Sequence, residues 1–194
     1  MPLVAIDSNV IDLLVCCIPA SQHADASEAW ELPPNYDDRE LRLRRELFAC
    51  FWLRSLAFAW TSTLYTFSDM LYAEVALARS APALLELAVD AREAHPTEYR
   101  EVDGDLRPLI DHVARLGVKP IDAEHVADAI GMSCSVLLTN DRQLRNRSPE
   151  IERKWPLRLR RPSEFLVEAV QAGAPWPASV AWPWQLLDDS PDLP

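Results

Sequence analysis

The sequence predicts an α/β fold built on a mainly parallel β-sheet. Short apolar runs alternate with amphipathic helical stretches along the chain, which is the pattern of strands joined by helices. The composition is that of a globular protein, because 49% of the 194 residues are hydrophobic and 25% are charged. A disordered chain and a small disulfide scaffold are therefore excluded. The length predicts one domain over residues 1–172 and a Pro- and Trp-rich tail over residues 173–194.

The N-terminal part predicts a strand, a loop and a helix. Residues 2–6 are an apolar run that ends at Asp7, so Asp7 lies at the carboxyl end of the first strand. Residues 19–60 form an extension within the domain, in which a polar, proline-bearing loop precedes a stretch of helical spacing over residues 38–60.

The second strand is predicted over residues 61–67, where β-branched and aromatic residues are concentrated. Ser68 is placed to cap the following helix, which carries Glu74 and ends before Pro82. A further helix is predicted over residues 83–94.

The next stretch predicts a helix, a short strand and a second helix. Residues 106–116 have apolar side chains on one helical face and end at Gly117. Residues 118–121 predict a very short third strand. Asp122 then opens a helix that runs to about Met132.

Two more strands complete the predicted sheet. Residues 135–139 form an apolar run bounded by Asn140 and Asp141, and residues 157–159 predict the last short strand. A final helix follows, with Ser163 as its predicted cap.

Glycine and cysteine usage excludes several kinds of site. The chain has 4 Gly against 16 Pro and no Gly-rich phosphate-binding motif, so dinucleotide and P-loop nucleotide binding are not expected. The cysteines lack metal-ligand spacing and are expected to be reduced core residues: Cys16, Cys17, Cys50 and Cys134. The sequence opens without a basic or long apolar leader, and no apolar run of about 18 residues follows, so we expect a cytoplasmic protein without membrane contact.

Charge is distributed unevenly along the chain. The net charge is −11, yet residues 142–161 carry eight basic side chains against two acidic ones. A basic stretch therefore lies in an otherwise acidic protein. Because it directly follows Asp141, it is placed to contact a phosphate backbone near that residue.

Four acidic residues are predicted to meet at one edge of the sheet. Ligand sites of open parallel sheets lie outside the carboxyl ends of the strands, and Asp7, Asp122 and Asp141 follow predicted strands there. Glu74, in the helix after the second strand, reaches the same edge. Repulsion among these carboxylates calls for a cation, and oxygen ligands without His or Cys favour Mg²⁺ or Mn²⁺. Such a site suits phosphodiester hydrolysis.

Three of the four acids also have a structural explanation when each is considered alone. Asp7 fits an Asx turn, and Glu74 fits an exposed helix face. Asp122 fits the first turn of a helix, where negative charge is favourable. His125 is expected to pack or to support the site, because a carboxylate site needs no imidazole.

Four segments share the spacing of a known family. They are Ile6-Asp7-Ser8-Asn9-Val10, Ser68 with Glu74 six residues later, Asp122-Ala123-x-His125-x-Ala127-x-Ala129, and Leu137-Leu138-Thr139-Asn140-Asp141-x-x-Leu144. Over residues 3–167 the chain thereby resembles the PIN domain of ribonucleases, including the VapC toxins of toxin–antitoxin pairs. The resemblance implies a three-layer α/β/α sandwich and a Mg²⁺- or Mn²⁺-dependent endoribonuclease that leaves 5′-phosphate and 3′-hydroxyl ends.

The resemblance also assigns the residues of the site. It implies that the catalytic, metal-holding residues are Asp7, Glu74, Asp122 and Asp141, and that the polar residues supporting them are Ser8, Asn9 and Thr139. In the family pattern the third acid stands about 17 residues before the strand-end Thr. Asp122 stands 17 residues before Thr139 and Asp128 only 11, so Asp128 is expected to face solvent.

Partners are expected at three places. Arg142, Arg145 and Arg147 are expected to contact the RNA substrate. A small antitoxin, if the chain is a toxin, would cover the acidic edge with a basic residue. The apolar stripe within residues 47–56 is expected in the core, with a homodimer or antitoxin interface over part of it as the alternative.

The arginines at 42, 44 and 45 are expected to pair with Glu40 and Glu46 on their own helix.

Two other functions fit parts of the pattern. A PIN-like fold without activity would serve as an RNA- or protein-binding module. A phosphatase similar to the haloacid-dehalogenase family would also place an Asp after the first strand. That family has a second Asp two residues later, where this chain has Asn9, and its downstream acidic pair is matched only by Asp188 and Asp189 in the tail.

Overall fold

The computed structural model describes residues 3–10, 38–54, 64–66 and 105–174. The strands in these ranges are β1 (Leu3–Ile6), β2 (Leu64–Thr66), β3 (Val136–Leu138) and β4 (Arg158–Arg160). The helices are α1 (Asp38–Arg54), α2 (Arg107–Ala114), α3 (Pro120–Gly131), α4 (Arg142–Arg145), α5 (Ser148–Glu152) and α6 (Pro162–Gln171). Residues 8–10 are also helical.

The four described strands form one parallel sheet in the order β2-β1-β3-β4. The prediction of a parallel α/β fold is confirmed. The chain passes from β1 to β2 on one side and then crosses to β3 on the other side of β1. The winding direction therefore reverses between β1 and β3, and in open parallel sheets the crevice at such a reversal is the usual ligand site.

Residues on both faces of the central strands are buried. On one face Ala5 pairs in register with Leu137, and Leu137 with Leu159. These three side chains share a core cluster with residues of α2, α3 and α5, including Val113, Val126 and Ile151. On the other face, Val4, Ile6, Val136 and Leu138 are at most 5% exposed. Strands buried on both faces explain why these segments are continuous apolar runs.

The helices at the two ends of the described chain pack together. α1 contacts α6, and α1 buries Ala49, Cys50 and Leu53. Cys50 and Cys134 are buried thiols, as expected for core residues. No helix within the described ranges is long and apolar enough to cross a bilayer.

Gly117 ends the segment that follows α2, as predicted, and adopts a φ of +82°. This left-handed conformation favours glycine because it has no Cβ. A Cβ at this position would lie 3.2 Å from Nη2 of Arg147. The turn after α2 thus lies directly beside the guanidinium of the residue that precedes α5.

Two local predictions are wrong. The strand expected over residues 118–121 does not form, because α3 already begins at Pro120 and Lys119 is its N-cap. The fixed φ and missing N–H of proline are compatible with the first turn of a helix. Ser163 does not cap α6, since Arg161 is the N-cap and Glu164 completes a capping box. The short helices α4 and α5 were not predicted.

Several predicted features lie outside the described residues. They are Ser68 and Glu74, the helix over residues 83–94, residues 19–37 and 55–60 of the extension, Cys16 and Cys17, and residues 175–194 of the tail.

Candidate active site

Asp7 lies at the carboxyl end of β1 with 5% of its surface exposed. Its backbone N–H donates to the carbonyl of Leu138 (2.9 Å), which extends the β1–β3 pairing to the last residue. Thr139 Oγ1 and Asn9 Nδ2 donate to Asp7 Oδ2 at 2.5 and 2.6 Å, and Ser8 Oγ donates to Oδ1 at 3.4 Å. These donors compensate the cost of burying a carboxylate.

Thr139, which is fully buried, connects Asp7 to the segment after β3. Its hydroxyl donates to Asp7 and accepts from the backbone N–H of Asp141 (3.0 Å) and from Asn9 Nδ2 (3.4 Å). Asn9 Oδ1 in turn accepts from the backbone N–H of Asn140 (2.9 Å). A hydroxyl has one donor and two acceptor sites, so Thr139 uses all of them. The ends of β1 and β3 are held together by side chains as well as by backbone.

Asp141 begins α4 as its N-cap. Its Oδ1 accepts from the backbone N–H groups of Gln143 (2.6 Å) and Leu144 (3.1 Å). Its Oδ2 lies 3.8 Å from Nζ of Lys119, at the start of α3. One carboxylate oxygen therefore stabilises the helix, while the other faces a cation that is itself well exposed.

Asp122 lies in the first turn of α3, partly buried. Burial raises its pKa, and the charges of Asp141 and Asp7 raise it further, while Lys119 and His125 oppose the shift. The three aspartates thus share one electrostatic environment at the carboxyl edge of β1 and β3. His125 is buried one turn further along the helix.

The structure describes three of the four acids that the sequence predicts for the site. Asp7, Asp122 and Asp141 lie at the same edge, whereas Glu74 is outside the described residues. Within residues 3–10, 38–54, 64–66 and 105–174, no three His, Cys, Asp or Glu side chains form a group that could hold a metal ion. Asp128 is partly buried.

The basic stretch divides into paired and unpaired members. Arg158 and Arg160 pair with Glu168, Arg160 also with Glu152, and Arg161 with Glu164. Arg145 lies 3.9 Å from Glu164, and burial together with the charge of Arg161 lowers its pKa. Arg142 and Arg147 are exposed and make no ion pair with another described residue. Of the three arginines expected to contact RNA, Arg145 is thus the one directed into the protein.

Glu46 is held by α6 rather than only by arginines of its own helix. It is 8% exposed, and its carboxylate accepts from the backbone N–H and the hydroxyl of Ser163 at 3.0 and 2.6 Å. Burial raises its pKa, while the Ser163 hydrogen bonds and the charge of Arg161 lower it. The sequence predicted that Glu46 pairs with arginines of its own helix, and it did not predict this contact between α1 and α6.

Sequence reasoning missed Lys119 as a member of the site. The signal was present, because Lys119 stands three residues before Asp122 and directly before the helix-opening Pro120. It was hidden by the prediction of a strand over residues 118–121, which gave the side chain no defined direction.

The chain was compared with known proteins. A scan against protein-family models gives no match. Searches of curated proteins and of solved structures give no match either. The geometry at the ends of β1 and β3 is therefore the basis for the function of this chain.

Proposed function

We propose that this chain is a divalent-metal-dependent endoribonuclease of the PIN type. The observation that carries the proposal is the pair of hydrogen bonds by which the Thr139 hydroxyl joins Asp7 to Asp141 where the winding of the sheet reverses. Asp122 lies close enough for the charges of both aspartates to raise its pKa. A three-layer α/β/α architecture belongs to this proposal. It is supported by the strand order and by burial on both faces of β1 and β3.

The described residues fit Mg²⁺ or Mn²⁺ as a cofactor. Mg²⁺ takes only one or two carboxylates from a protein and completes its shell with water and substrate phosphate oxygens. Among the described residues, Asp7 Oδ1 accepts a single long hydrogen bond and Asp141 Oδ2 accepts none, so both have lone pairs for a cation. These two oxygens would hold the ion, with Asp122 and, by resemblance, Glu74 nearby. A bound ion would lower the pKa of a water molecule and neutralise phosphate charge.

The protein's own residues prepare this site in two ways. Thr139 and Asn9 fix the Asp7 carboxylate in one orientation, and the burial of Asp7 limits its contact with bulk water. Lys119, whose side chain is 59% exposed beside Asp141, offers an ammonium group to a phosphate oxygen at the entrance.

The test is RNA cleavage by purified wild type and Asp141→Asn, with Mg²⁺, Mn²⁺ or EDTA. Asn remains a good N-cap, so this change removes the charge and leaves the start of α4 intact. Asp105→Asn is the matched control, because Asp105 is an exposed acid beside the start of α2. We expect metal-dependent cleavage by wild type and control, and a loss of at least about 100-fold in Asp141→Asn. Equal cleavage by Asp141→Asn contradicts the site.

A toxin–antitoxin pairing is part of the same proposal. The acidic edge at Asp7, Asp122 and Asp141 supports a partner that places a basic residue near these carboxylates. Expression of the wild type alone should then arrest growth of the host, whereas Asp141→Asn should not. If active protein causes no arrest, the nuclease acts outside such a pair.

A silent binding module is distinguished by metal affinity. An active site with crowded carboxylates gains thermal stability when Mn²⁺ binds, and a silent module does not. A melting temperature that is the same in Mn²⁺ and in EDTA would favour the silent module.

A further inference from the structure

Residues that flank α5 contact α2 and the turn after it, in an order that makes the two helices antiparallel. Arg147, directly before α5, lies against Gly117 after the end of α2. At the other end of α5, Lys154 and Trp155 contact His112 of α2. Between these two contacts, Val113 and Ile151 are fully buried in one core cluster. We call the surface along this junction, from Lys119 past Arg147 to Lys154, the α2–α5 seam.

The seam is basic although the whole chain is acidic. Residues 112–119 and 147–155 together carry five Lys or Arg side chains against two acids, while the chain as a whole has a net charge of −11. One of the two acids, Glu152, is engaged by Arg160. Arg147 and Lys154 are exposed. A positive strip of this kind attracts a polyanion.

Lys154 is held in place by two aromatic neighbours. Its ammonium nitrogen lies 2.5 Å from Nε2 of His112 and 5.9 Å from the centre of the Trp155 ring. The His112 and Trp155 rings meet edge to face, with centres 5.3 Å apart. An ammonium group has three N–H donors, so a single hydrogen bond to His112 leaves two for another acceptor. A side chain ordered in advance loses less entropy on binding.

The seam begins at the candidate active site. Lys119, its first cation, lies 3.8 Å from Asp141 Oδ2. Lys119 comes after the turn at Gly117, whereas His112, which contacts Lys154, lies within α2. A dinucleotide without terminal phosphates has a single phosphodiester, so one held at Asp141 leaves no phosphate for Lys154.

We propose that the α2–α5 seam binds the sugar-phosphate backbone of single-stranded RNA, with Lys119, Arg147 and Lys154 as successive phosphate contacts leading away from Asp141. The proposal rests on the proposed nuclease function and names where its substrate lies. Continuity of the seam with the site favours RNA over an acidic protein partner, which would not need a path to Asp141. The contacts are to phosphate, so affinity should depend on salt rather than on base sequence.

The test measures binding of a fluorescently labelled 12-nucleotide single-stranded RNA by anisotropy, in EDTA, over a series of salt concentrations. The variant is Arg147→Gln with Lys154→Gln. The control is Arg107→Gln with Arg158→Gln, which removes the same charge from exposed arginines that already pair with Asp105 and Glu168. Melting temperatures of both double variants show that each is folded.

Loss of two phosphate contacts lowers the slope of log K against log salt by about 1.4 in magnitude and weakens binding at low salt by about tenfold or more. We expect this for the seam variant and an unchanged slope for the control. Equal slopes for seam variant and wild type, or equal losses in both double variants, overturn the proposal. Cleavage of a dinucleotide in Mn²⁺ is measured separately. If the wild type does not cleave the dinucleotide but its RNA binding still depends on the seam, the nuclease proposal is contradicted and the seam proposal is not.

Discussion

Thr139 Oγ1 donates a 2.5 Å hydrogen bond to Asp7 Oδ2 across 132 positions of sequence. The same hydroxyl accepts from the backbone of Asp141, so one buried group fixes the positions of both strand-end acids. The contact joins the carboxyl ends of β1 and β3 where the winding of the sheet reverses.

Replacing Thr139 by Val should lower stability and metal binding together. Val keeps the shape but leaves the buried Asp7 carboxylate and the Asp141 N–H without their partner, at a cost of about 1–3 kcal/mol. Thermal unfolding in EDTA should show a melting temperature lower by several degrees, and Mn²⁺ should recover less of it than in wild type. Thr139→Ser, which keeps the hydroxyl, is the control. Equal melting curves for the Val variant and wild type would show that the hydrogen bond contributes nothing.

Asp122→Asn should raise the melting temperature in metal-free buffer at neutral pH. Burial and the charges of Asp141 and Asp7 raise the pKa of Asp122, so folding disfavours its ionised form. The advantage of the Asn variant should therefore grow as pH rises above the ordinary range of Asp and vanish in acid, where Asp122 is protonated in both states. Added Mn²⁺ should stabilise wild type more than the variant. A variant less stable than wild type in EDTA at pH 7 would contradict mutual repulsion at this edge.

Glu46→Gln should remove a pH dependence of stability. Burial raises the pKa of Glu46, so the native state holds a proton that the unfolded chain releases above pH 4.5. The free energy of unfolding of wild type consequently falls as pH rises through that window. The melting temperature of Glu46→Gln relative to wild type should rise from pH 4.5 towards pH 8. Ser163→Ala removes a hydrogen bond to the carboxylate, so the melting temperature of this variant should fall more steeply with pH than that of wild type. If the difference in melting temperature between Glu46→Gln and wild type is the same at every pH, Glu46 is not the source of the pH dependence.

Gly117→Ala should cost about 1–2 kcal/mol of stability because Ala is strained at positive φ. The new Cβ should also displace the Arg147 guanidinium and weaken RNA binding. Gly173→Ala provides a matched control, since Gly173 has a φ of +99° and a Cβ there meets nothing within 4 Å. Both variants should lose stability in a denaturant titration, and only Gly117→Ala should lose RNA affinity. Equal RNA affinities would place Arg147 outside the seam contact.

Sequence periodicity predicted the parts of the fold in which one chemical pattern determines one structure. The apolar runs at β1 and β3 end at Asp7 and just before Thr139, so the strand-end positions followed directly from the pattern. The short helices α4 and α5 were missed because five or fewer residues carry no helical periodicity.

Long-range partners could not be predicted from local spacing. Glu46 was expected to pair along its own helix, yet its carboxylate meets Ser163, 117 positions away. In the same way, the sequence of the basic stretch did not indicate that Arg158 and Arg160 form ion pairs with Glu168 of α6 and Glu152 of α5. Such pairings depend on tertiary packing, which a one-dimensional pattern does not contain.

The position of β1 at the interior of the sheet has a consequence for synthesis on the ribosome. β1 is made first, but its partner β3 and the hydroxyl that orients Asp7 are made about 130 residues later. At roughly 5–20 residues per second, that interval is on the order of 10 s. The nascent chain therefore emerges with Asp7 lacking its Thr139 hydrogen bond, and the pair of strand-end acids is assembled only once β3 has left the exit tunnel.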